Sequence, residues 1–257
     1  MKVPLLNPPC KGWQKDLPTP DAVKREKAYL GFTTPNHQDE IYLELARYLS
    51  IARGAIFMAI PFVALILLWV TGMVIAHWSG TSLSWPLMTF IGAMIVCIWT
   101  CANVVKNEII VPRDLPLRFN RKRKRLYAYN FKYQWLNILD LGRVVPVAYD
   151  WSQVRAERWR RRYPTAQGTV HTQTGVVISI VEPGTNKVID RFPLNTMDAD
   201  EYAWAYICIY MTQGPDALPP PGPPKDHDDV PWYNLALRLA PAVKWPEGMD
   251  AESRSAP

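Results

Sequence analysis

The chain has 257 residues and a formal net charge of +6, long enough for one domain or two. Its four cysteines show neither the density of a disulfide scaffold nor the spacing of a zinc site. It contains no glycine-rich phosphate loop, G-x-S-x-G elbow or H-E-x-x-H helix, the usual marks of nucleotide, serine-hydrolase and zinc-protease chemistry.

Residues 1–35 carry Pro4, Pro8, Pro9, Pro18, Pro20 and Pro35 and read as an extended arm. In residues 36–54, "NHQDEIYLELARYLSIARG", acidic residues come early and Arg47 and Arg53 late, as a helix dipole prefers. Ile41, Leu45, Tyr48 and Leu49 would share one face. This predicts an amphipathic helix, lying on a membrane surface or packed on the body. Two runs without a charge follow, at 55–76 and 82–105. Each has roughly the 20 residues needed to cross a hydrocarbon core of about 30 Å. Pro61 and Pro86 fall in their first thirds, and Trp69, Trp78, Trp85 and Trp99 include several near the ends. The expectation is a transmembrane helical hairpin over 55–105; the first run lies too far along the chain to be a signal peptide. The connecting residues 77–81 lack Lys and Arg, whereas Arg47 and Arg53 precede the runs and Lys106, Arg113 and Arg118 follow them. The positive-inside rule then places both termini in the cytoplasm. Cys97 and Cys101 sit four apart on one helix face as packing residues.

Beyond residue 105 the signals turn to strand. "LPLRFN" and "RLYAYNF" flank "RKRK"; "VVPVAYDW" and "TVHTQTG" are further β-prone runs. The clearest hairpin joins 176–181 to 187–192 through Pro183, Gly184, Thr185 and Asn186. A helix is predicted over 198–211, opened by Asp198 and Glu201 in capping-box spacing and stopped by Gly214 and Pro215. Being apolar nearly all round, it should be buried against the strands. A proline-rich linker follows, and the tail has room for one short helix at 232–239. The fold class expected is therefore an α+β membrane protein. A two-helix transmembrane hairpin would carry a cytosolic antiparallel β domain, residues 106–214, closed by one C-terminal helix, with 215–257 as linker and tail. That element order is like the pleckstrin-homology-like domains of some bacterial membrane proteins.

Charge is uneven: residues 106–163 carry 15 basic and 5 acidic residues, whereas 164–257 carry 6 basic and 12 acidic. The densest basic run is Arg121, Lys122, Arg123, Lys124 and Arg125, with Arg118 before it and Tyr127 and Tyr129 after. Its charge and stacking-capable aromatic neighbours would suit nucleic acid, but it follows closely on an expected membrane helix and no recognition fold surrounds it. Contact with anionic lipid headgroups fits its position, as does a solvated hairpin tip that sets topology. A second cluster, Arg158, Arg160, Arg161 and Arg162, would meet an acidic partner or headgroups, or be a solvated edge with Glu157 paired locally. Residues 225–229, "KDHDD", group one His with three carboxylates, yet neighbours in a proline-rich linker cannot converge on one ion. No catalytic residue, metal or cofactor is expected.

"GWQKDLPTP", "NHQDEIYLE", "RFNRKRKRLYAYNFKYQWLN", "YDWSQVRAERWR" and "VISIVEPGTNKVIDRFPLNTMDADEYAWAYICIYMTQGPDALPP" together resemble a family of two-span bacterial proteins of unassigned function. The genes of that family often lie beside type VI secretion effector and spike genes. The resemblance implies an accessory or immunity protein and supplies no catalytic residues. The expected protein is thus non-enzymatic and sits in the bacterial inner membrane. Its cytosolic domain would bind a secreted effector or secretion component. The alternative is a membrane-anchored scaffold or lipid-sensing module whose basic hairpin reads anionic headgroups.

Overall fold

In the computed structural model the described residues are 3–22, 28–30, 34–47, 53–76, 85–134, 136–137, 139–164, 168–194, 200–224, 226 and 228–257. Nine strands are found among them, in two sheets whose neighbours are all antiparallel. The first sheet has the order β1 (Trp13–Asp16), β7 (Val154–Pro164), β8 (Val170–Val181), β9 (Val188–Leu194). The second runs β2 (His37–Gln38), β3 (Tyr42–Leu45), β4 (Leu117–Asn120), β5 (Arg125–Lys132), β6 (Arg143–Asp150).

Period-two alternation decides which side chains face inward. Leu43 and Leu45, Leu117 and Phe119, and Leu126 and Ala128 share one buried cluster with Val154, Ala156, Val176, Ile178, Ile180, Phe192 and Leu194 of the first sheet. Helix α3 (Asp200–Gln213) completes that cluster with Trp204, Ile207, Cys208 and Met211. The chain passes from β6 to β7 through one 3-10 turn, Trp151–Gln153, closed by reciprocal Asp150 and Gln153 contacts. This turn drops Trp151 between Phe119 (edge-on, 6.1 Å) and Trp204 (5.8 Å). Such aromatic pairs add about 0.5–1.5 kcal/mol beyond the area they bury, so this corner ties both sheets to α3.

Helices α1 (Ala55–Ala76) and α2 (Trp85–Val105) lie against one another, and α2 continues into a π-helical turn, Lys106–Ile110. They are inserted between two strands that pair directly, Tyr42 with Asn120 through Leu45 with Leu117. Phe62, Leu65, Leu68, Trp69, Ile95 and Val96 on this arm are exposed. The short α4 (Leu235–Leu239) and α5 (Glu247–Arg254) end the chain.

Several expectations are corrected. The fold is not a two-helix transmembrane hairpin carrying one β domain closed by one helix: two sheets and five α-helices are present among the described residues. One described helix, Phe90–Ile110, is long and apolar enough to cross a membrane. A second, shorter apolar stretch among the described residues is Ile60–Met73, within α1. The longer stretch takes in most of α2 and runs on through the π-helical turn. Residues 36–47 form β2 and β3 rather than a helix, while 48–52 lie outside the described residues. The proline-rich N-terminal arm is folded in: β1 edges the first sheet, and Leu6, Cys10, Leu17 and Leu30 are buried. The tail past 239 forms α5 instead of fraying. The loop at 77–81 and the Asp198 cap lie outside the described residues.

Candidate interaction surfaces

With Leu43, Leu117 and Leu126 facing the core, strand alternation sends their neighbours to the outer side of the five-stranded sheet. Glu44, Arg118 and Tyr127 stand in one cross-strand row there. All three are buried, because the C-terminal segment covers them. Arg118 Nε donates to Glu44 Oε2, and Arg118 Nη1 donates to Asp250 Oδ1 (2.5 Å) and Ser253 Oγ (2.9 Å). Its guanidinium also lies 4.5 Å over the Trp245 ring, which meets Tyr129 edge-on at 5.2 Å. Asn120 Nδ2 donates to the carbonyls of Ser253 (3.1 Å) and Ser255 (2.9 Å). Glu252 accepts from Arg125 Nη1 (2.7 Å) and from the Tyr127 hydroxyl (2.9 Å). The Tyr127 bond, followed by the Arg125 bond, holds the Glu252 carboxyl below its ordinary range, with slight burial opposing. Burial, reinforced by Glu252, pushes the Tyr127 phenol up to about 12.

The basic run therefore meets acids within its own chain. Arg123 donates to the carbonyls of Ser255 (3.0 Å) and Ala256 (2.7 Å). Two of its members turn the other way, onto α3, which has no basic residue in its own last turn. Lys124 Nζ donates to the Met211 carbonyl (2.5 Å) and Arg121 Nη2 to that of Gln213 (3.2 Å), while Arg121 Nη1 pairs with Glu40 at 3.0 Å. These cations satisfy carbonyls that the helix end leaves open and complement its dipole. Lys124 has φ 51°, the left-handed conformation that closes the turn. Lys122 stays exposed at the tip. Tyr129 is buried, its hydroxyl accepting from the Lys244 amide at 3.3 Å.

The second basic cluster divides. Arg158 pairs with Glu201 of α3, which Lys15 Nζ also meets at 2.7 Å. Burial alone would raise the Glu201 carboxyl, but the Lys15 and Arg158 bonds bring it below its ordinary value. Glu157 is fully buried and accepts from the Cys10 amide (2.8 Å), the Ser179 hydroxyl (2.5 Å) and Arg191 (3.1 Å), pinning the N-terminal segment. Arg160, Arg161 and Arg162 lie where β7 and β8 outrun their neighbours. Strand β1 reaches Trp159, and β9 reaches Val176. Beyond these points β7 and β8 run on as a ribbon that pairs Arg160 with Thr174, Arg161 with Gln173 and Arg162 with Thr172. The segment before β1 still accepts from the Arg160 amide at the Gly12 carbonyl (2.8 Å) and from Arg161 Nε at the Lys11 carbonyl (3.4 Å). All three arginines are exposed. At the ribbon's root Trp159 opposes Gly175, where an added Cβ would lie 2.6 Å from the indole, and Arg161 sits 5.0 Å over the same ring.

At the foot of the helical arm the sequence reading missed a clamp. The Arg53 guanidinium is buried and donates to the carbonyls of Glu108 (3.0 Å), Val111 and Pro112 (2.7 Å), closing the π-helical turn. The Glu108 carboxylate accepts from the Gly54 amide. Asn234 Nδ2 donates to the Arg53 carbonyl at 2.8 Å, and α4 packs on the π-helical turn. On the other side Lys106 Nζ donates to the carbonyls of Asn137 (2.6 Å) and Gln134 (3.3 Å). A cleft of about 520 Å³ opens there, lined by Lys132, Tyr133, Asn137, Leu139, Asp140 and Arg143 among others. A basic residue just before a charge-free run was the one available hint of this clamp. Among the described residues no cluster of His, Cys, Asp and Glu is placed to hold a metal ion.

Residues 94–257 match a protein family described as "Family of unknown function (DUF6708)". No curated protein and no solved structure matches the chain.

Proposed function

The chain belongs to this family of unknown function, DUF6708, and from that premise we propose that it is a non-enzymatic, membrane-associated binding protein. Its apolar arm holds the body at a membrane, and its β7–β8 ribbon engages an acidic protein partner. The observation that carries this reading is the ribbon: Arg160, Arg161 and Arg162 are consecutive, exposed, and carried beyond the neighbouring strands. A projecting cationic surface steers acidic partners by long-range attraction and suppresses basic ones. Arg118, Arg121, Arg123 and Arg125 are engaged by acids and carbonyls of their own chain, whereas the ribbon arginines are exposed, with Arg161 Nε donating to the Lys11 carbonyl at 3.4 Å. The exposed side chains of the arm support the membrane placement, for an apolar surface of that kind needs a cover. The sequence resemblance to proteins encoded beside type VI secretion effectors points to a secreted effector or secretion component as partner, and to an immunity or accessory role.

The test is co-purification of the full chain, in mild detergent, with the effector encoded beside its gene. Replacing Arg160, Arg161 and Arg162 with Gln is expected to weaken that capture by about tenfold or more, chiefly through slower association. Thermal unfolding should stay unchanged, because exposed substitutions typically cost no more than about 0.5 kcal/mol. Cells lacking the gene should become sensitive to sibling cells that deliver the effector. Full resistance in that strain would rule out immunity.

A further inference from the structure

We propose that the foot of the arm is ringed by an apolar and aromatic collar that seats the body in the headgroup boundary of a lipid bilayer. This rests on the reading that the arm lies in lipid. Two exposed apolar segments, far apart in sequence, are joined to the same few residues at the foot. One is the β5–β6 connection, where Leu136, Leu139 and Leu141 are exposed, Leu139 at 87%. The Lys106 bonds to Asn137 and Gln134 and a bond from the Tyr133 hydroxyl to Asn107 Oδ1 fasten this loop to the π-helical turn. The other segment leads into α4, where Trp232 is 84% exposed and Tyr233 70%. It is fastened by Asn234 to the Arg53 carbonyl and by α4 against the same turn.

These loop leucines and the Trp–Tyr pair are largely uncovered by the described residues, yet hydrogen bonds fasten their segments where the arm emerges. The span-length helix Phe90–Ile110 ends at Ile110, the last residue of the turn to which both segments are fastened, so the collar continues the arm's own apolar surface. The chemistry matches a headgroup boundary. Trp and Tyr concentrate there because each joins an apolar ring to a polar tip, and leucines insert shallowly beside them. Lys132 and Arg143, exposed on the wall of the loop's cleft, supply positive charge for anionic headgroups. Gly54 and Asn234 keep the second segment close. An added Cβ at Gly54, which has φ +94°, would strike the Asn234 side chain at 2.5 Å.

The experiment uses the full chain with Cys10, Cys97, Cys101 and Cys208 changed to Ala, reconstituted in vesicles of zwitterionic and anionic phospholipid. An NBD fluorophore is attached in turn at Leu139→Cys, Trp232→Cys, Ile95→Cys on the arm, and Thr172→Cys on the ribbon. Lipids carrying a nitroxide near the headgroup are expected to quench positions 139 and 232 by about twofold or more, and deep nitroxides to quench position 95. Position 172 should remain unquenched. If position 95 is quenched while 139 and 232 are not, the collar is overturned and the arm's placement stands. If position 95 also escapes, the lipid reading of the arm fails, and the collar with it. Self-quenching at 139 and 232 that grows with protein density, without lipid quenching, would assign the collar to a second copy of the chain and overturn the proposal.

Discussion

Arg118 shows how far one side chain's role can depart from its surroundings in sequence. It lies three residues before the densest run of positive charge, yet it is buried, with Glu44 on the adjacent strand and Asp250 on α5 as counter-charges. Arg118→Met should destabilise the protein by about 3–5 kcal/mol, since it removes the cationic member of a buried ion pair with Glu44. Chemical denaturation in detergent would measure it, and a loss below about 0.5 kcal/mol, as for an exposed arginine, would refute the burial argument. A second substitution tests the root of the ribbon. Gly175→Ala should cost about 1–3 kcal/mol, because its Cβ meets the Trp159 indole and neither strand can yield easily. The composition of this region was legible: the arginines, the tyrosines and the hairpin that carries them could all be read directly. Their partners could not, because Glu44 is 74 residues away and Asp250 132. No local pattern encodes a contact across that separation.

At the scale of elements, α5 is the part that charge alone could have hinted at and periodicity could not. It is eight residues long, shorter than the 12–15 or so at which isolated helices become marginally stable. Docking makes it form: Asp250, Glu252 and Ser253 face Arg118, Arg125 and Tyr127. Because the folded-state Glu252 carboxyl titrates below its ordinary value, its contribution is fully present above the ordinary glutamate range. It is lost as pH falls through the lowered pKa. Acidification should therefore release the C-terminal segment before the β core unfolds, seen as earlier proteolytic trimming of residues 247–257. Glu252→Gln should bring the same trimming to neutral pH. Strands β2 and β3 carried the opposite lesson. "IYLELAR" is built from good helix formers, and its propensity points to a helix. Yet Leu43 and Leu45 alternate with Tyr42 and Glu44, and pairing with β4 overrides local preference. The alternation was present in the sequence; what tipped the balance was a strand on the far side of the arm.

For the whole molecule, the arm is an insertion rather than a link between separate parts. Strands β3 and β4 pair directly across it, and the Arg53 and Lys106 contacts fix its foot. Replacing residues 56–104 with a short Gly/Ser connector should leave a body that folds in water with its β-sheet spectrum intact. Closing a loop between strands already adjacent is cheap, at about 0.6 kcal/mol per doubling of length. Circular dichroism and amide exchange of the shortened protein check this directly; an aggregated or unfolded product would show that the arm is needed for the fold. The same insertion governs what happens while the chain is being made. The ribosome releases β1, β2 and β3 first, but β3 cannot find β4, nor β1 find β7, until the whole arm has been synthesised. On the proposed membrane placement, the arm reaches lipid while the domain at its foot is still incomplete. The body would then be finished in place, around an anchorage already chosen.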